Sequence, residues 1–367
     1  MRRIGFQQQA LFGAVMSLTA ASAFGQSSVT LYGVVDAGIE YANHQPGNGD
    51  NVYRLTSGNI AGSRWGLRGV EDLGSGLRGV FVLESGFDAD TGKSGQGGRL
   101  FGRMAYVGLQ APWGNILLGR QQNAFFDFVG NYDPMTLATK YSVFTQDPFF
   151  VGRADNTVKY VGVFGGLKAS AFYSFGADSS VVNGSEVPGN PKLGREYGGY
   201  LTYDIGRFGV AAAYDEINTG TLTQSPDAKV RRASTAATYS VGAGKFFAGY
   251  RWARGYDGGI VPGAAPGIGN QASNLYWAGV NLQVTPAVTL AGAAYFQDFR
   301  NTGSDPWLFA LNADYAFSKR THLYASLGYT KNKGSANLGF FDSGKSFGNA
   351  NPGQNQAGAV IGVRHSF

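Results

Sequence analysis

The sequence contains no cysteine and only three histidines among its 367 residues. Without cysteine, the chain has no disulfide framework, no thiol nucleophile and no thiolate metal site. The histidines, His44, His322 and His365, have no serine or aspartate at a spacing that suggests a nucleophile–base pair. Asp88 and Asp90 lie in a glycine-rich stretch that lacks the pattern of an EF-hand. The sequence therefore favours neither an enzyme nor a dedicated calcium site, and it implies no cofactor.

Charge and long apolar runs are also scarce. Charged residues make up 15 % of the chain, and the net charge of +6 is spread along it, which argues against a nucleic-acid partner. Beyond the N-terminus no apolar run approaches the ~20 residues that a membrane-spanning helix needs, so helical membrane proteins are excluded. The 57 glycines follow no three-residue period, which excludes collagen, and 14 % aromatic residues exclude disorder.

The first 25 residues have the order of a secretory signal. Arg2 and Arg3 precede an apolar run over residues 10–20, and small residues follow it. We expect cleavage between Gly25 and Gln26, with cleavage after Ala23 as the alternative. The predicted organisation is a cleaved signal peptide over residues 1–25 and one exported domain over residues 26–367.

Most of the remaining sequence alternates between apolar and polar residues. After Pro306 one face would hold Trp307, Phe309, Leu311, Ala313, Tyr315 and Phe317. A helix starting at Trp307 would place Asp314 in its apolar stripe, so this pattern predicts a strand. The same alternation recurs at residues 31–41, 167–175, 208–214 and 323–329. The opposite face carries polar residues, which would be costly to bury in a dry core.

The connections between these segments alternate in length. Short ones fall at residues 71–74, 112–115, 165–166, 204–207, 242–244, 286–287 and 318–320. Long ones fall at residues 43–60, 87–99, 121–152, 176–195, 216–230, 254–272, 299–305 and 331–355. Fifteen connections separate sixteen strands, and an even number of strands with one apolar face is typical of an outer-membrane β-barrel.

A soluble sandwich or lectin would also alternate, but it would bury its apolar face inside a shell too small for so many large side chains. Closing sixteen strands into a barrel removes the sheet edges and leaves a water-filled lumen for the polar face. We therefore predict an all-β, 16-stranded antiparallel barrel. The chain ends on Phe367, whose terminal position is similar to the C-terminal signature that such barrels present to their assembly machinery.

Several motifs resemble the Gram-negative general diffusion porins, and in particular their β-proteobacterial branch. The motifs are Val-Thr-Leu-Tyr-Gly-Val-Val-Asp-Ala-Gly at 29–38, Ser-Arg-Trp-Gly-Leu-Arg-Gly-Val-Glu-Asp-Leu-Gly at 63–74, Tyr-Val-Gly-Leu at 106–109, Leu-Gly-Arg-Gln at 118–121 and Gly-Val-Arg-His-Ser-Phe at 362–367. The resemblance covers the mature chain. It implies a homotrimer in the outer membrane of a Gram-negative bacterium, in contact with outer-membrane lipids and lipopolysaccharide.

The resemblance also implies that the third long connection, residues 121–152, folds into the lumen as a constriction loop. Its length and its eight Phe and Tyr residues independently argue for packing against the wall. A surface lid or a trimer contact is the alternative. Two basic residues belong to this segment in the prediction, Arg120 at its start and Lys140 within it.

By motif, the resemblance places Arg64, Arg103 and Arg153 at the arginine positions of the lumen wall and Arg68 at a neighbouring basic position. The alternation agrees for Arg64 and Arg68, because Trp65 between them faces lipid. An arginine on the lipid face near mid-membrane would cost about 2 to 4 kcal/mol. Each arginine could instead be a solvated lumen residue without a transport function.

The same alternation adds Arg78 to the lumen face and Glu84 as a local counterion. On the loop side, Asp133 fits one acidic position of the family and Asp127 is a second candidate. The Pro-Glu-Phe motif of many relatives is missing here. The cations therefore outnumber the acids, and we predict passive diffusion of small hydrophilic solutes and ions with a preference for anions. A substrate-specific channel or a surface receptor with a binding site in its loops is the alternative.

Overall fold

In the computed structural model, the described residues are 28–177, 186–261, 263, 271–340 and 350–367. The predicted signal peptide lies outside them. Within these ranges, eighteen strands form one antiparallel sheet. They are β1 (Ser28–Ala42), β2 (Val52–Ser57), β3 (Arg64–Gly74), β4 (Leu77–Gly86), β5 (Met104–Ala111), β6 (Gly114–Gln122), β7 (Arg153–Ala154), β8 (Thr157–Phe164), β9 (Leu167–Ser174), β10 (Glu196–Ile205), β11 (Phe208–Asn218), β12 (Lys229–Val241), β13 (Gly244–Tyr256), β14 (Ala272–Gln283), β15 (Val288–Phe299), β16 (Trp307–Ala316), β17 (Thr321–Lys331) and β18 (Gln356–Ser366).

The eighteen strands occupy sixteen positions around a closed barrel. β2 and β3 share one position, since β1 pairs with β3 through its first half and with β2 through its second. β7 and β8 likewise both pair with β6. The sheet closes because β1 also pairs with β18. The predicted 16-stranded antiparallel barrel is confirmed.

The break between β2 and β3 has a local cause. The backbone amides of Ile60 and Ala61 donate to the Asp36 carboxylate at 2.9 and 2.8 Å, so they do not continue the strand. The Tyr324 hydroxyl donates to the same carboxylate at 2.6 Å. This buried carboxylate thus satisfies backbone groups that the interrupted ladder leaves free.

Connection lengths follow the predicted alternation. Seven connections contain two to four residues and eight contain seven or more. The short turns therefore lie at one end of the barrel and the long connections at the other. At the short-turn end, the backbone N–H and carbonyl of Phe367 each bond to Gly33 at 3.1 Å, which ties the last residue to the first strand.

The outer face of the barrel is apolar, as β16 illustrates. Trp307, Phe309 and Leu311 are exposed, whereas Leu308 and Ala310 between them are buried. The burial of Leu308 and Ala310 shows that the inner face of the barrel is not polar throughout. It is apolar where the long segment between β6 and β7 covers it.

That segment contains α1 (Ala124–Val129), α2 (Val143–Gln146) and a 3₁₀ turn over Pro148–Val151. Asn123 caps α1 by accepting from the Phe126 amide. The segment packs against inward-facing side chains of the strands: the Phe150 ring lies 5.8 Å from the Trp277 ring. The Trp277 indole N–H also donates to the Tyr132 carbonyl at 2.9 Å. This contact surface forms the larger of the two apolar clusters among the described residues. Among the described residues, no helix has the length and hydrophobicity to cross a membrane.

Candidate functional site

A cavity of about 480 Å³ lies inside the barrel, between the inner wall and the segment that covers it. β3, β4 and β7 bring charged residues to it, as does Arg103 directly before β5, and the segment contributes mainly apolar ones. The charged residues at its lining are Arg64, Arg103, Arg153, Glu84 and Asp88. Three cations and two carboxylates therefore line one cavity.

Glu84 lies between two of the arginines. Its Oε1 accepts from Nε of Arg103 at 2.7 Å, and its Oε2 lies 3.6 Å from Nε of Arg64. The Tyr32 hydroxyl donates to the same carboxylate at 3.0 Å. Strand register explains the grouping, because Glu84 pairs with Gly66 on β3 and with Met104 on β5, beside Arg103.

Arg153 differs from the other two arginines. It has no acidic partner among the described residues, and its Nε forms no hydrogen bond there. Its Nη1 donates to the Val151 carbonyl at 3.4 Å, and its guanidinium lies 5.5 Å from the centre of the Phe126 ring. Arg153 also lines a second cavity of about 330 Å³, together with Arg120 and Glu196. It is thus the cation shared by both cavities.

The structure does not bring Arg68 and Arg78 to this cluster. Both are exposed, and Arg68 lies 5.5 Å from the centre of the Tyr32 ring. Arg78 is the second residue of β4, beside the short turn, and pairs with Asp72. Arg64 pairs with Gly86 at the other end of β4. Gly86 is eight positions after Arg78, so the two arginines are roughly 27 Å apart along the strands. Arg78 therefore lies at the short-turn mouth of the barrel, whereas Arg68 lies four residues along β3 from Arg64, or roughly 13 Å toward that mouth.

The two predicted loop acids do not line the 480 Å³ cavity. Asp127 forms an ion pair with Lys159 of β8. Asp133 is fully buried, accepting from the Tyr295 hydroxyl at 2.6 Å and from the Leu137 amide at 2.7 Å. Burial raises the pKa of the Asp133 carboxyl to about 6, against the opposing effect of these hydrogen bonds. Asp133 anchors the loop to the wall.

The two basic residues assigned to the loop also have specific partners. Lys140 is buried, and its Nζ lies 2.9 Å from Oε2 of Glu40 on β1, so its charge is balanced. Arg120 lies in β6 and therefore in the wall, which corrects its assignment to the loop. Its Nη1 lies 2.6 Å from Oδ1 of Asp155.

Buried ion pairs on β11, β12 and β13 are missing from the sequence-based prediction. Arg232 pairs with Asp215, and Arg251 lies 3.0 Å from Asp147 of the covering segment. The Arg232 guanidinium also lies 4.3 Å from the centre of the Phe125 ring. The sequence does hold a sign of these pairs. Within β11, β12 and β13, apolar and polar residues alternate, and Asp215, Arg232 and Arg251 fall at inward positions. Within the described ranges, no three acidic or histidine side chains group as metal ligands.

Known proteins provide an independent comparison. The family model described as Gram-negative porin matches residues 11–335. An outer membrane porin protein of Bordetella pertussis is 32 % identical over 97 % of this chain and 99 % of its own length. Outer membrane porin protein 32 of Delftia acidovorans is 29 % identical over 98 % and 100 %. The solved anion-selective porin from Comamonas acidovorans superposes with a TM-score of 0.80 at 27 % identity, covering 93 % of this chain and all of that one.

Proposed function

Because this chain belongs to the Gram-negative porin family, we propose that the arginines of its inner wall give the channel a preference for anions. The protein is an outer-membrane porin through which small hydrophilic solutes and ions diffuse passively. The observation that carries the anion preference is Arg153, a cation without an acidic partner among the described residues that lines both interior cavities.

Selection would occur where the loop narrows the channel. The segment at residues 121–152 packs against part of the inner wall, and the cavity between segment and wall is lined by Arg64, Arg103 and Arg153. An ion in this gap would therefore pass close to all three guanidinium groups. Asp127 and Asp133 would not cancel this positive charge, since Asp127 pairs with Lys159 and Asp133 accepts from the Tyr295 hydroxyl.

The strength of the attraction between these arginines and a passing anion depends on how much water the gap contains. Two unit charges 4 Å apart interact by about 1 kcal/mol in bulk water and by about 4 kcal/mol near a protein surface. Cations exceed carboxylates by one at the lining of the main cavity, so the field favours anions without holding them tightly. The anion selectivity named for the Comamonas acidovorans porin agrees with this proposal.

A planar bilayer measurement tests the proposal. We expect the reversal potential of the reconstituted protein in a KCl gradient to have the sign of chloride preference. Clear potassium preference would contradict it. Current that rises linearly with voltage and is not blocked by sugars or amino acids would separate general diffusion from a dedicated solute site.

The assembly we propose is a homotrimer of the chain without residues 1–25, with Phe367 serving recognition by the barrel assembly machinery. The resemblance to trimeric porins and the secretory pattern of the N-terminus support it. Native mass spectrometry of the solubilised protein tests both points together. Three copies of the chain from Gln26 to Phe367 are expected, and a monomer or an unprocessed N-terminus would contradict them.

A further inference from the structure

His322 lies on the inner wall of the barrel. It is the second residue of β17, a strand in which Tyr324 and Ser326 are buried whereas Leu327 is exposed. Because side chains alternate along a strand, His322 shares the inward face with Tyr324 and Ser326. It therefore faces the channel, close to the short turn that precedes β17.

The other two histidines do not belong to the inner wall. His44 lies in the connection after β1, where its Nδ1 is 2.8 Å from the Asn355 carbonyl oxygen. His365 is exposed and shares the outward alternation of Ile361 and Val363 on β18. His322 is thus the one histidine of the chain on the inner face of a strand.

Two charged side chains of the neighbouring strands surround His322. Its Nδ1 lies 2.6 Å from Oδ1 of Asp314 on β16, and Oδ2 of the same carboxylate lies 4.0 Å from Nη2 of Arg364 on β18. Arg364 also pairs directly with His322 in the sheet. We call these three residues the histidine group. Their side chains are between 17 and 28 % exposed, so water can deliver a proton to the ring.

The other neighbours of His322 do not change the charge of this group. Ala316 pairs with it on β16, and the Tyr324 hydroxyl, next on the inward face, donates to a carboxylate of β1. Lys319 and Arg320 are exposed in the short turn. Within the part of the chain that the structure describes, the group forms ion pairs with no further acid. It therefore has no net charge while the imidazole is neutral, and one positive charge once the imidazole is protonated.

The histidine group lies beside the arginines of the main cavity. Arg364 pairs with Asp36 on β1, and Arg64 pairs with Val34 on the opposite side of the same strand. Two strand spacings and two residues along the strand separate the two arginines, so their backbones are roughly 12 Å apart. Their positive charges repel each other. The histidine group thus extends the charged inner wall across the closure of the barrel.

We propose that His322 makes the anion preference of the channel depend on pH. Histidine is the side chain that ordinarily changes charge between pH 5 and 8. Above this range the Asp314 carboxylate balances Arg364, and below it the imidazolium adds a positive charge to the wall. With a proton on Nδ1, the ring donates to Asp314 in both states, so the geometry of the group does not have to change.

This inference rests on the proposed function, since it names a further residue that sets the same selectivity. Its test is the reversal potential of the reconstituted protein in a KCl gradient at pH 8 and at pH 5. The gradient is kept near about 0.01 M, where the Debye length is about 30 Å and fixed charges are weakly screened. Wild type is compared with H322Q, with D314N and with H365Q, the matched control that removes the outward histidine.

We expect the chloride-to-potassium permeability ratio of wild type to rise by about fourfold from pH 8 to pH 5. This is the effect of one unit charge about 10 Å from the ion path in water, which acts with opposite sign on the two ions. H322Q should match wild type at pH 8 and lose most of the rise, whereas H365Q should keep it. Carboxylates elsewhere, such as Asp133, titrate in all variants, so the difference between wild type and H322Q isolates His322.

D314N tests the group independently of the histidine substitution. It leaves Arg364 without its carboxylate, so the chloride preference should already be higher than in wild type at pH 8, and a rise on acidification should remain. An equal rise in wild type and H322Q would overturn the proposal, and so would loss of the rise in H365Q or an unchanged ratio in D314N at pH 8.

The same measurements separate this inference from the proposed function. A potassium-preferring wild type at pH 8 would contradict the anion preference, whereas a shift toward chloride on acidification that requires His322 would still support the inference. A chloride-preferring wild type whose pH dependence is the same in H322Q would contradict the inference alone.

Discussion

Oε1 of Glu84 accepts a hydrogen bond of 2.7 Å from Nε of Arg103, while Arg64 lies 3.6 Å from its other carboxylate oxygen. The carboxylate thus balances part of the positive charge that the wall presents to the channel. Arg153 lies outside this ion-pair group and has no carboxylate partner among the described residues. If the inner-wall arginines select anions as proposed, the number of carboxylates at this point of the wall should set the strength of that preference.

Replacing Glu84 by Gln should strengthen anion preference. Glutamine keeps an acceptor for Arg103 but removes the negative charge. One unit charge about 6 Å from the ion path in a water-like medium is worth about 0.7 kcal/mol, with opposite sign for chloride and potassium, so the chloride-to-potassium permeability ratio should rise by about tenfold. E71Q, which removes an exposed carboxylate near the short turn, is the control. An unchanged or lower chloride preference in E84Q would refute this prediction.

The loop packs closely against Gly328. A Cβ added there would lie 2.5 Å from Cδ1 of Tyr141 and 2.6 Å from Cζ of Phe340. G328A should therefore displace the loop and lower the free energy of unfolding by about 1 to 3 kcal/mol, with a noisier open-channel current. At Gly292 the nearest atom is a flexible Leu311 methyl at 3.2 Å, so G292A is the milder control. Equal effects of the two substitutions would argue against tight loop packing.

Loop anchoring by Asp133 should depend on pH. Burial raises the pKa of its carboxyl from an ordinary 3.8 to about 6, so the folded protein binds a proton that the unfolded chain has lost. Stability from this group is complete below about pH 4 and falls as the pH rises to about 6. Thermal unfolding of wild type and D133N across this range measures the difference. The wild type should lose stability relative to D133N, and parallel curves would exclude the effect.

The buried pair of Arg232 and Asp215 should matter far more for stability than its exposed neighbour. R232A leaves a buried carboxylate without its partner and should cost about 3 to 5 kcal/mol. R231A removes an arginine whose side chain is 39 % exposed and should cost about 1 kcal/mol or less. Urea unfolding of the two variants measures both values. Similar decreases in the free energy of unfolding would show that the buried Arg232–Asp215 pair contributes no more to stability than the exposed arginine.

The barrel could be predicted from the sequence because its signals are local. A period of two shows which face each residue of a strand occupies, and alternating connection lengths count the strands. The same alternation placed Arg64 and Glu84 on the inner face. It does not show how far along the barrel a side chain lies, which is why Arg78 was grouped with arginines roughly 27 Å away.

The partners of the loop could not be predicted, because they are distant in sequence. Asp133 bonds to Tyr295, 162 residues away, and Lys140 pairs with Glu40 on the first strand. From the sequence alone, an acidic residue in the loop can be predicted to face the channel, because the partners that bury it are not visible there. Leu308 and Trp277 also depart from the polar inner face, and only the covering loop explains them.

The most direct test of the central claim compares reversal potentials in a KCl gradient for two variants that each remove two arginines. R64A/R153A removes charges at the interior cavity, and R68A/R78A removes exposed charges that lie outside the cavity, toward the short-turn end. We predict a chloride-preferring wild type, a large shift toward potassium in R64A/R153A and a small one in R68A/R78A. Equal shifts in the two variants, or a potassium-preferring wild type, would contradict selection by the inner-wall arginines.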